Sequence, residues 1–261
     1  MTGGVDTPPM HSHPIFHMSS SSSVVPIIIS IEGNIGSGKT TLIRKLKSHF
    51  QTREPCGVYF LEEPVDIWES ITNDTKDKNI LQLFYEDKPR YCLTFQNLAL
   101  STRCSAIKNI LDQNNPKYKV IIMERSLYCD QHVFASMLRD CGDMSNMEFD
   151  IYMKYTKACA SPDYYPKAVI WVNTPWQTCH QNIAFRNRPG EHDISTEYLT
   201  QLEQYHERWL TNIPGGGPMV VPVSIPRATT TSDVDINTAI ESCMEPCMRI
   251  INEFTSSIAL N

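Results

Sequence analysis

The sequence predicts an α/β fold in which helices cover both faces of a five-stranded parallel sheet. Five short apolar runs without polar alternation are separated by helical patterns, the order expected of such a sheet. The first run leads into a glycine-rich phosphate-binding motif, which requires a strand before it and a helix after it. Apolar residues make up 41% of the 261 residues, enough for a sizeable core. We therefore expect one domain over residues 24–261, after a disordered, serine-rich tail over residues 1–23.

The predicted elements alternate along the chain. The long helical pattern over residues 90–111 repeats apolar residues at helical spacing, and Pro or Gly residues separate several elements. Thr174-Pro175 begins one helix and Pro189-Gly190 ends it. The predicted strands cover residues 24–32, 58–61, 119–123, 168–172 and 219–224. The predicted helices cover residues 39–50, 79–85, 90–111, 127–139, 146–159, 174–188, 195–210 and 233–254.

Charge and cysteine content argue against several classes of protein. The net charge of −6 argues against a nucleic-acid-binding or anionic-membrane-binding surface. No apolar run approaches the roughly 18 residues of a membrane span. The nine cysteines lack a C-x-x-C pair or a disulfide framework, which favours reduced thiols. The tail has neither the arginines of a transit peptide nor the apolar core of a signal peptide, so we expect a cytoplasmic protein.

The phosphate-binding motif G-x-x-x-x-G-K-[ST] lies between the first strand and the first helix. Its glycines allow backbone N–H groups to surround a phosphate, and the helix N-terminus adds positive potential. Lys39 is expected to reach the outer phosphates and Thr40 to ligate Mg²⁺. A nucleoside triphosphate with Mg²⁺ is therefore the expected ligand. The expected triphosphate-binding residues are Gly33, Asn34, Ile35, Gly36, Ser37, Gly38, Lys39, Thr40 and Thr41.

Charged residues follow two further strands, as Glu62-Glu63 and as Glu124-Arg125. Ligands of parallel sheets bind at the carboxyl ends of the strands, where these residues meet the phosphate-binding loop. Glu63 is positioned to accept the proton of a substrate hydroxyl, and Glu124 to join the Mg²⁺ shell. Strand alternation points Glu62 to the opposite face. A solvated acid at position 63 and a local ion pair of Glu124 with Arg125 are the alternatives.

Two further features suit a substrate cleft. Arg186 and Arg188 precede Pro189-Gly190, as expected of a mobile flap that closes on phosphates. The alternative is that these cations complement a helix C-terminal dipole. Gln96 lies among apolar neighbours, and its amide is able to read a base edge or to bond only to backbone.

Together these motifs resemble the deoxynucleoside kinase family, which includes deoxycytidine, deoxyguanosine and mitochondrial-type thymidine kinases. The resemblance covers residues 26–212 and, more weakly, the rest. It implies a P-loop kinase three-layer sandwich with a helical lid at about residues 182–195. It also implies transfer of the ATP γ-phosphate to a deoxynucleoside 5'-hydroxyl in nucleotide salvage, by a homodimer. The motifs are G-N-I-G-S-G-K-T from Gly33, E-P-V-x-x-W from Glu63, Tyr85 with Phe95-Gln96 following, E-R-S-L-Y-C-D from Glu124, the R-x-R flap, and E-Y-L and H-E-R-W-L between Glu197 and Leu210.

The resemblance also implies roles for individual residues. Glu63 matches the general base on the 5'-hydroxyl, and Arg125 matches the arginine beside it. Tyr85 and Glu191 match the pair that holds the 3'-hydroxyl. Gln96 matches the residue that hydrogen-bonds the base. The remaining matches are Phe134 stacked on the base, Phe95 and Trp68 as walls, and Arg186 and Arg188 over the donor phosphates.

Base preference receives two opposed indications. Arg103 and Asp130 match a pair typical of deoxycytidine and deoxyguanosine kinases, which favours deoxycytidine and purine deoxynucleosides. The R-x-R-P-G-E stretch from Arg186 to Glu191 instead resembles the lid of herpesvirus-type thymidine kinases. A thymidine-preferring or broad-specificity kinase is therefore the alternative. Asn182 stands where the family often has an arginine.

Other functions for a triphosphate-binding fold predict different residues. A nucleoside monophosphate kinase should carry further arginines near the base site. A non-catalytic nucleotide-binding subunit should have lost Lys39, Glu63 or Arg125, and all three are present. A P-loop switch or motor ATPase should end its third strand with a Mg²⁺-binding aspartate, where this chain has Glu124-Arg125.

Overall fold

A computed structural model of the chain describes residues 25–52, 57–113, 117–224 and 233–257. The predicted tail over residues 1–23 lies outside these segments. Within them, the predicted strands form one parallel sheet, which confirms the α/β fold class. The strands are β1 (Ile27–Glu32), β2 (Val58–Leu61), β3 (Val120–Glu124), β4 (Ala168–Val172) and β5 (Met219–Val223).

The predicted helices are present with ends within a few residues of their expected positions. Polar side chains explain several of these starts. Asn79 with Gln82, and Ser145 with Glu148, form capping boxes that satisfy backbone N–H groups in the first helical turn. The helices are α1 (Lys39–Gln51), α2 (Val65–Ser70), α3 (Ile80–Glu86), α4 (Lys88–Asp112), α5 (Leu127–Cys129), α6 (Ser136–Asp140), α7 (Asn146–Cys159), α8 (Trp176–Arg186), α9 (Thr196–Thr211) and α10 (Asp233–Ser257).

Besides two short 3-10 turns, Pro162–Tyr164 and Glu191–Asp193, two helical features were not predicted. One is the short helix α2. The other is a π-helical segment, Asp130–Ala135, which interrupts what the periodicity predicts to be one helix from 127 to 139. Single π-helical turns are rare and often occur at functional sites, because they change which side chains share a face.

Helices cover both faces of the sheet, as the unalternating strands predict. Ile29 and Ile31 of β1 pack on one face with α1 and α10. Ile28, which points to the opposite face, packs with Ile107 of α4. The buried apolar residues of each strand therefore serve two separate packing layers, which makes the domain a three-layer sandwich.

The strand order β2-β3-β1-β4-β5 brings the predicted charged residues to one edge. β1 is central, and the loop that follows it lies between the ends of β3 and β4. Ile31 pairs with Glu124, and Leu61 at the end of β2 pairs with Met123. The residues that follow β1, β2 and β3 therefore converge at the carboxyl edge of the sheet.

The described segments show neither a membrane span nor a cysteine pair. None of their helices is both long and apolar enough to cross a bilayer. Their cysteines are free thiols.

Candidate active site

A cleft of about 660 Å³ opens at the carboxyl edge of the sheet. Of the predicted site residues, all but Gly33 and Asn34 line it. A larger cavity of about 920 Å³ lies against α7 and the loop before β5, and none of the predicted site residues lines it. The cleft contains Ile35, Gly36, Ser37, Gly38, Lys39, Thr40, Thr41, Glu63, Trp68, Tyr85, Phe95, Gln96, Arg103, Glu124, Arg125, Asp130, Phe134, Arg186, Arg188 and Glu191.

The phosphate-binding loop depends on glycine at specific positions. Gly36 and Gly38 have φ angles of +76° and +97°, in the left-handed region that glycine adopts without strain. A Cβ atom on Gly36 would lie 2.5 Å from the backbone oxygen of Cys179 in α8. A side chain at Gly36 would therefore push α8 away from the loop.

Three side-chain hydrogen bonds hold the conformation and position of this loop. Asn34 Nδ2 donates to the backbone oxygen of Leu199 in α9, at 2.8 Å. Asn182 Nδ2 in α8 donates to the backbone oxygen of Gly36, at 2.7 Å. Lys39 Nζ donates to the backbone oxygen of Asn34, at 2.8 Å. Asn34 thus serves as a brace, and Asn182 uses its amide to fix α8 to the loop.

The Thr40 hydroxyl and the Glu124 carboxylate place three oxygen atoms close together beside the loop. The Thr40 hydroxyl lies 2.9 and 3.0 Å from the two carboxylate oxygens of Glu124. Magnesium prefers oxygen ligands and commonly takes one or two protein ligands, with water and substrate phosphates completing its shell. The described residues contain no cluster of three or more His, Cys, Asp or Glu side chains suited to a metal. The pair therefore fits a Mg²⁺ ion that arrives with phosphates better than a metal held by protein alone.

Glu63 lies at the floor of the cleft between two buried arginines. Its Oε1 atom is 3.4 Å from Arg125 Nε and 3.3 Å from Arg103 Nη2, and its side chain is 17% exposed. Burial by itself would raise the pKa of Glu63. The charges of Arg125, Arg103 and Lys39 outweigh this effect and hold its pKa below the usual value. Glu63 is therefore an ionised acceptor facing the cleft.

The adjacent acid, Glu62, makes a different contact. Its carboxylate lies 3.3 Å from Lys47 Nζ in α1, and both side chains are partly exposed. Glu62 also lines the cleft, contrary to the expectation from strand alternation, but it contacts a lysine and not the two buried arginines. Glu62 is therefore a control for Glu63.

Arg125 is held in a strained backbone conformation. Its φ angle of +62° is unusual for a residue other than glycine, and such conformations cost on the order of 1–3 kcal/mol. Its backbone N–H donates to the Ile31 oxygen at 3.1 Å, and its Nη1 donates to the Gly33 oxygen at 3.0 Å. The ring of Phe134 lies 4.8 Å from its guanidinium carbon. These contacts fix the guanidinium between the phosphate-binding loop and Glu63.

Arg103 and Asp130 form a fully buried ion pair at the back of the cleft. Arg103 Nε lies 2.9 Å from Asp130 Oδ2, and Nη1 donates to the backbone oxygen of Glu124 at 2.8 Å. Burial opposes the charged form of Arg103, but the carboxylates of Asp130 and Glu63 raise its pKa. Asp130 begins the π-helical segment, which turns both Asp130 and Phe134 toward the cleft.

Aromatic rings and one amide form the opposite part of the cleft. Trp68 and Phe95 pack edge to face with ring centroids 5.3 Å apart. Gln96 is buried beside them, and Ala99 on the next turn of α4 leaves space. Tyr85 lies nearer the lid. This region has the flat apolar walls and the polar group that a nucleobase requires.

The two lid arginines bind the same carboxylate. Nε and Nη2 of Arg186 lie 2.7–3.0 Å from the carboxylate oxygens of Glu191, and Arg188 Nη1 lies 3.1 Å from Glu191 Oε1. Gly190, beside Glu191, has a φ of +86° and leaves no room for a Cβ against Gln82. The charged side chains of the lid therefore pair with one another, with Glu191 between the two arginines.

Sequence reasoning missed Glu32, the last residue of β1. Its side chain is fully buried, and the Ser126 and Ser30 hydroxyls lie near its carboxylate without forming a hydrogen bond of ordinary geometry. Burial raises the pKa of Glu32, and the nearby Ser126 hydroxyl and Arg125 charge oppose this only in part. The available signal was an acid that ends an apolar strand directly before Gly33.

Comparison with known proteins agrees with this geometry. A family model described as deoxynucleoside kinase matches residues 29–257. The chain belongs to the deoxynucleoside kinase family. A fowlpox virus (strain NVSL) protein named "probable deoxycytidine kinase" is 33% identical over 70% of this chain and 71% of its own length. Deoxycytidine kinase of Homo sapiens is 31% identical over 97% of this chain and 99% of its own. The mitochondrial deoxyguanosine kinase of Xenopus laevis is 29% identical over 78% and 81%.

The chain is accordingly an ATP-dependent deoxynucleoside kinase. The roles of individual residues in this kinase remain predictions, although the structure brings the predicted residues into one cleft.

Replacing Glu32 by Gln should make stability less dependent on pH. Below the pKa of the unfolded chain, the Glu32 carboxyl is neutral in both states and costs nothing. As pH rises above this value, the unfolded chain releases the proton while the folded kinase retains it. Folded stability is then lost by about 1.4 kcal/mol per pH unit until the raised folded pKa is reached. Glutamine has no such loss.

Urea unfolding of wild type and Glu32→Gln at several pH values from 4 to 8 measures this difference. We expect the free energy of unfolding of the variant, relative to wild type, to increase with pH. A difference in the free energy of unfolding that does not change with pH reports only how well the glutamine amide packs in place of the Glu32 carboxyl. A difference that stays constant over this range would show that the pKa of Glu32 is not raised in the folded kinase.

Proposed function

We propose that the kinase transfers the γ-phosphate of ATP to the 5'-hydroxyl of a deoxynucleoside, with Glu63 as general base, in nucleotide salvage. The observation that carries this proposal is the ionised Glu63 carboxylate between Arg103 and Arg125. It lies between the phosphate-binding loop on one side and the aromatic part of the cleft on the other. A hydroxyl bound there would have a proton acceptor on the line toward the transferred phosphate.

In the proposed reaction, Glu63 accepts the 5'-hydroxyl proton as the oxygen bonds to the γ-phosphorus, and the bond to the β-phosphate oxygen breaks to release ADP. Lys39 balances charge on the transferred phosphoryl group. Mg²⁺, held by Thr40 and Glu124, would supply further neutralisation of the phosphates when bound. Arg125 holds Glu63 in place through its own contact with the Gly33 oxygen.

The lid is proposed to connect the two substrates. Glu191 is expected to hold the 3'-hydroxyl with Tyr85, and Arg186 and Arg188 to contact the donor phosphates. Both arginines now bind Glu191. The Glu191 carboxylate therefore contacts the two arginines assigned to the donor phosphates, and it also lines the cleft in which the acceptor is proposed to bind. The lid, at residues 182–195, would exchange these ion pairs for substrate contacts.

We propose deoxycytidine and purine deoxynucleosides as preferred acceptors, with Gln96 reading the base. Cytosine and adenine carry an exocyclic amino group that is able to donate a hydrogen bond to a carboxylate such as Asp130, whereas thymine and guanine carry a carbonyl oxygen there. This contact favours deoxycytidine and deoxyadenosine over thymidine, and deoxyguanosine is included on the resemblance alone. Relatives named deoxycytidine kinase and deoxyguanosine kinase support deoxycytidine and a purine deoxynucleoside as acceptors. The alternative, thymidine preference, rests on the sequence of the lid.

A homodimer is proposed from one face of α7. Met147, Ile151 and Tyr155 are four residues apart, so they form one stripe along the helix, and all three are exposed. Burying such a stripe against a second copy removes apolar surface from water.

Replacing Glu63 by Gln should lower kcat by about 10²–10⁴-fold, because the amide cannot accept the proton. The dissociation constant for the deoxynucleoside should change little, since the side chain keeps its size. Steady-state kinetics and calorimetric binding of deoxycytidine measure the two effects. Glu62→Gln, the neighbouring control, should retain nearly full turnover. Normal turnover of Glu63→Gln would remove Glu63 from this role.

Replacing both members of the buried pair, as Arg103→Met with Asp130→Ala, should shift base preference toward thymidine. The double change avoids leaving one charge buried alone. We expect the ratio of kcat/KM for thymidine to that for deoxycytidine to increase by about tenfold, the effect of about 1.4 kcal/mol. Assays with the four natural deoxynucleosides measure this ratio, which is unaffected by a general loss of activity. An unchanged ratio would contradict the role of the pair.

Replacing Ile151 by Lys should dissociate the proposed dimer, because it places a charge in the apolar stripe. Light scattering after gel filtration should show twice the chain mass for wild type and the single-chain mass for the variant. Val25→Lys, at an exposed apolar residue outside α7, should leave the dimer intact. A monomeric wild type would exclude the dimer.

A further inference from the structure

One aromatic ring at the mouth of the cleft is almost free in solvent. Phe185 is 76% exposed, the largest exposed fraction among the large apolar side chains of the described residues. None of the ring–ring contacts among those residues involves it. Its side chain lines the cleft that also contains the phosphate-binding loop. An apolar ring in this position gains free energy from any ligand that covers it.

Helix α8 fixes this ring beside the phosphate-binding loop. Asn182 binds the Gly36 backbone oxygen, and the backbone of Cys179 leaves no room for a side chain on Gly36. Phe185 follows Asn182 by three residues and therefore lies on the same side of the helix, about 4.5 Å further along the axis. Arg186, the next residue, is one of the arginines assigned to donor phosphates. The side chains of Phe185 and Arg186 therefore lie to either side of the Asn182 contact, about one turn further along α8.

The other rings of the cleft belong to the acceptor side. Trp68 packs against Phe95, Tyr85 packs against Tyr198, and Phe134 covers Arg125. These rings are engaged with one another or with the guanidinium behind Glu63. Phe185 stands apart from them on the lid helix, so the nucleoside pocket does not account for it.

We propose that Phe185 is the surface on which the base of the donor nucleotide stacks. This inference rests on the proposed function, which places the donor triphosphate in the loop and the acceptor on the aromatic side. Asn182 fixes α8 to the loop, and Arg186 on the same helix is assigned to the donor phosphates, so α8 borders the donor and Phe185 offers it an open ring face. Aromatic rings stack on every nucleobase, because each base has a π-face. The Phe185 ring, the stacking platform, therefore adds affinity for the donor nucleotide and is able to stack on more than one base.

Replacing Phe185 by Ala should raise KM for ATP by about tenfold, as expected for loss of about 1.4 kcal/mol of stacking. KM for the deoxynucleoside and kcat at saturating ATP should remain within about twofold, since the ring touches neither the acceptor nor the transferred phosphate. Phe185→Trp should restore the wild-type KM. Val25→Ala, a loss of exposed apolar surface outside the cleft, should change neither constant.

Tripolyphosphate separates base stacking from phosphate binding, because it has no base. It should inhibit wild type and Phe185→Ala with equal inhibition constants. An equal loss of affinity for ATP and for tripolyphosphate would overturn the proposal, since Phe185 would then act through the loop. An unchanged KM for ATP in Phe185→Ala would also overturn it.

A binding measurement tests the platform without relying on catalysis. The tryptophan fluorescence of Phe185→Trp should be quenched by ADP and not by tripolyphosphate, after subtraction of the wild-type response. If wild type phosphorylates no deoxynucleoside while this quenching occurs, the proposed reaction fails and the stacking platform stands. If ADP causes no additional quenching, the platform is excluded whatever the reaction is.

Discussion

The site depends on how two buried arginines share the carboxylate of Glu63. Arg103 and Arg125 lie 3.3 and 3.4 Å from the same oxygen, and each guanidinium has a second anchor in Asp130 or the Gly33 backbone oxygen. Taking such charges out of water is costly unless every charge has a partner. The same contacts keep Glu63 ionised and fix its position. The same contacts of Arg103 and Arg125 with Glu63 therefore stabilise the cleft and keep the Glu63 carboxylate able to accept a proton.

The fold supplies this arrangement through its central strand. Because β1 lies between β3 and β4, the phosphate-binding loop emerges next to the ends of both neighbours. Arg125 turns back toward that loop through a left-handed backbone conformation, which the surrounding hydrogen bonds maintain. The lid adds a second shared carboxylate, Glu191, between two arginines. A single acid between two cations thus occurs both at the floor and at the lid of the cleft.

Local sequence patterns predicted most of the fold but less of the site. The strands and long helices follow from apolar spacing, and the loop follows from its glycines. The π-helical turn at Asp130 depends on packing against α4 and α9, which periodicity does not reveal. The burial of Glu32 is a tertiary effect, and its only sequence signal is an acid at the end of an apolar strand. The ion pairs of both lid arginines with Glu191 join residues five and three apart, but the turn that brings them together has no periodic pattern. The roles of the acceptor-side residues Tyr85, Gln96 and Glu191 came mainly from resemblance, whereas those of Lys39, Thr40, Glu63 and Glu124 were predicted from the phosphate-binding motif and the strand ends.

Transfer of label from γ-labelled ATP is the most direct test of the central claim. The kinase would be given deoxycytidine or deoxycytidine monophosphate as acceptor, and the labelled product identified by chromatography. We expect label in the 5'-monophosphate of deoxycytidine and none in a diphosphate, because Glu63 offers a proton acceptor for a hydroxyl and the arginines beside it are already paired with carboxylates. Label found only in deoxycytidine diphosphate, or only in free phosphate, would contradict a hydroxyl acceptor activated by Glu63.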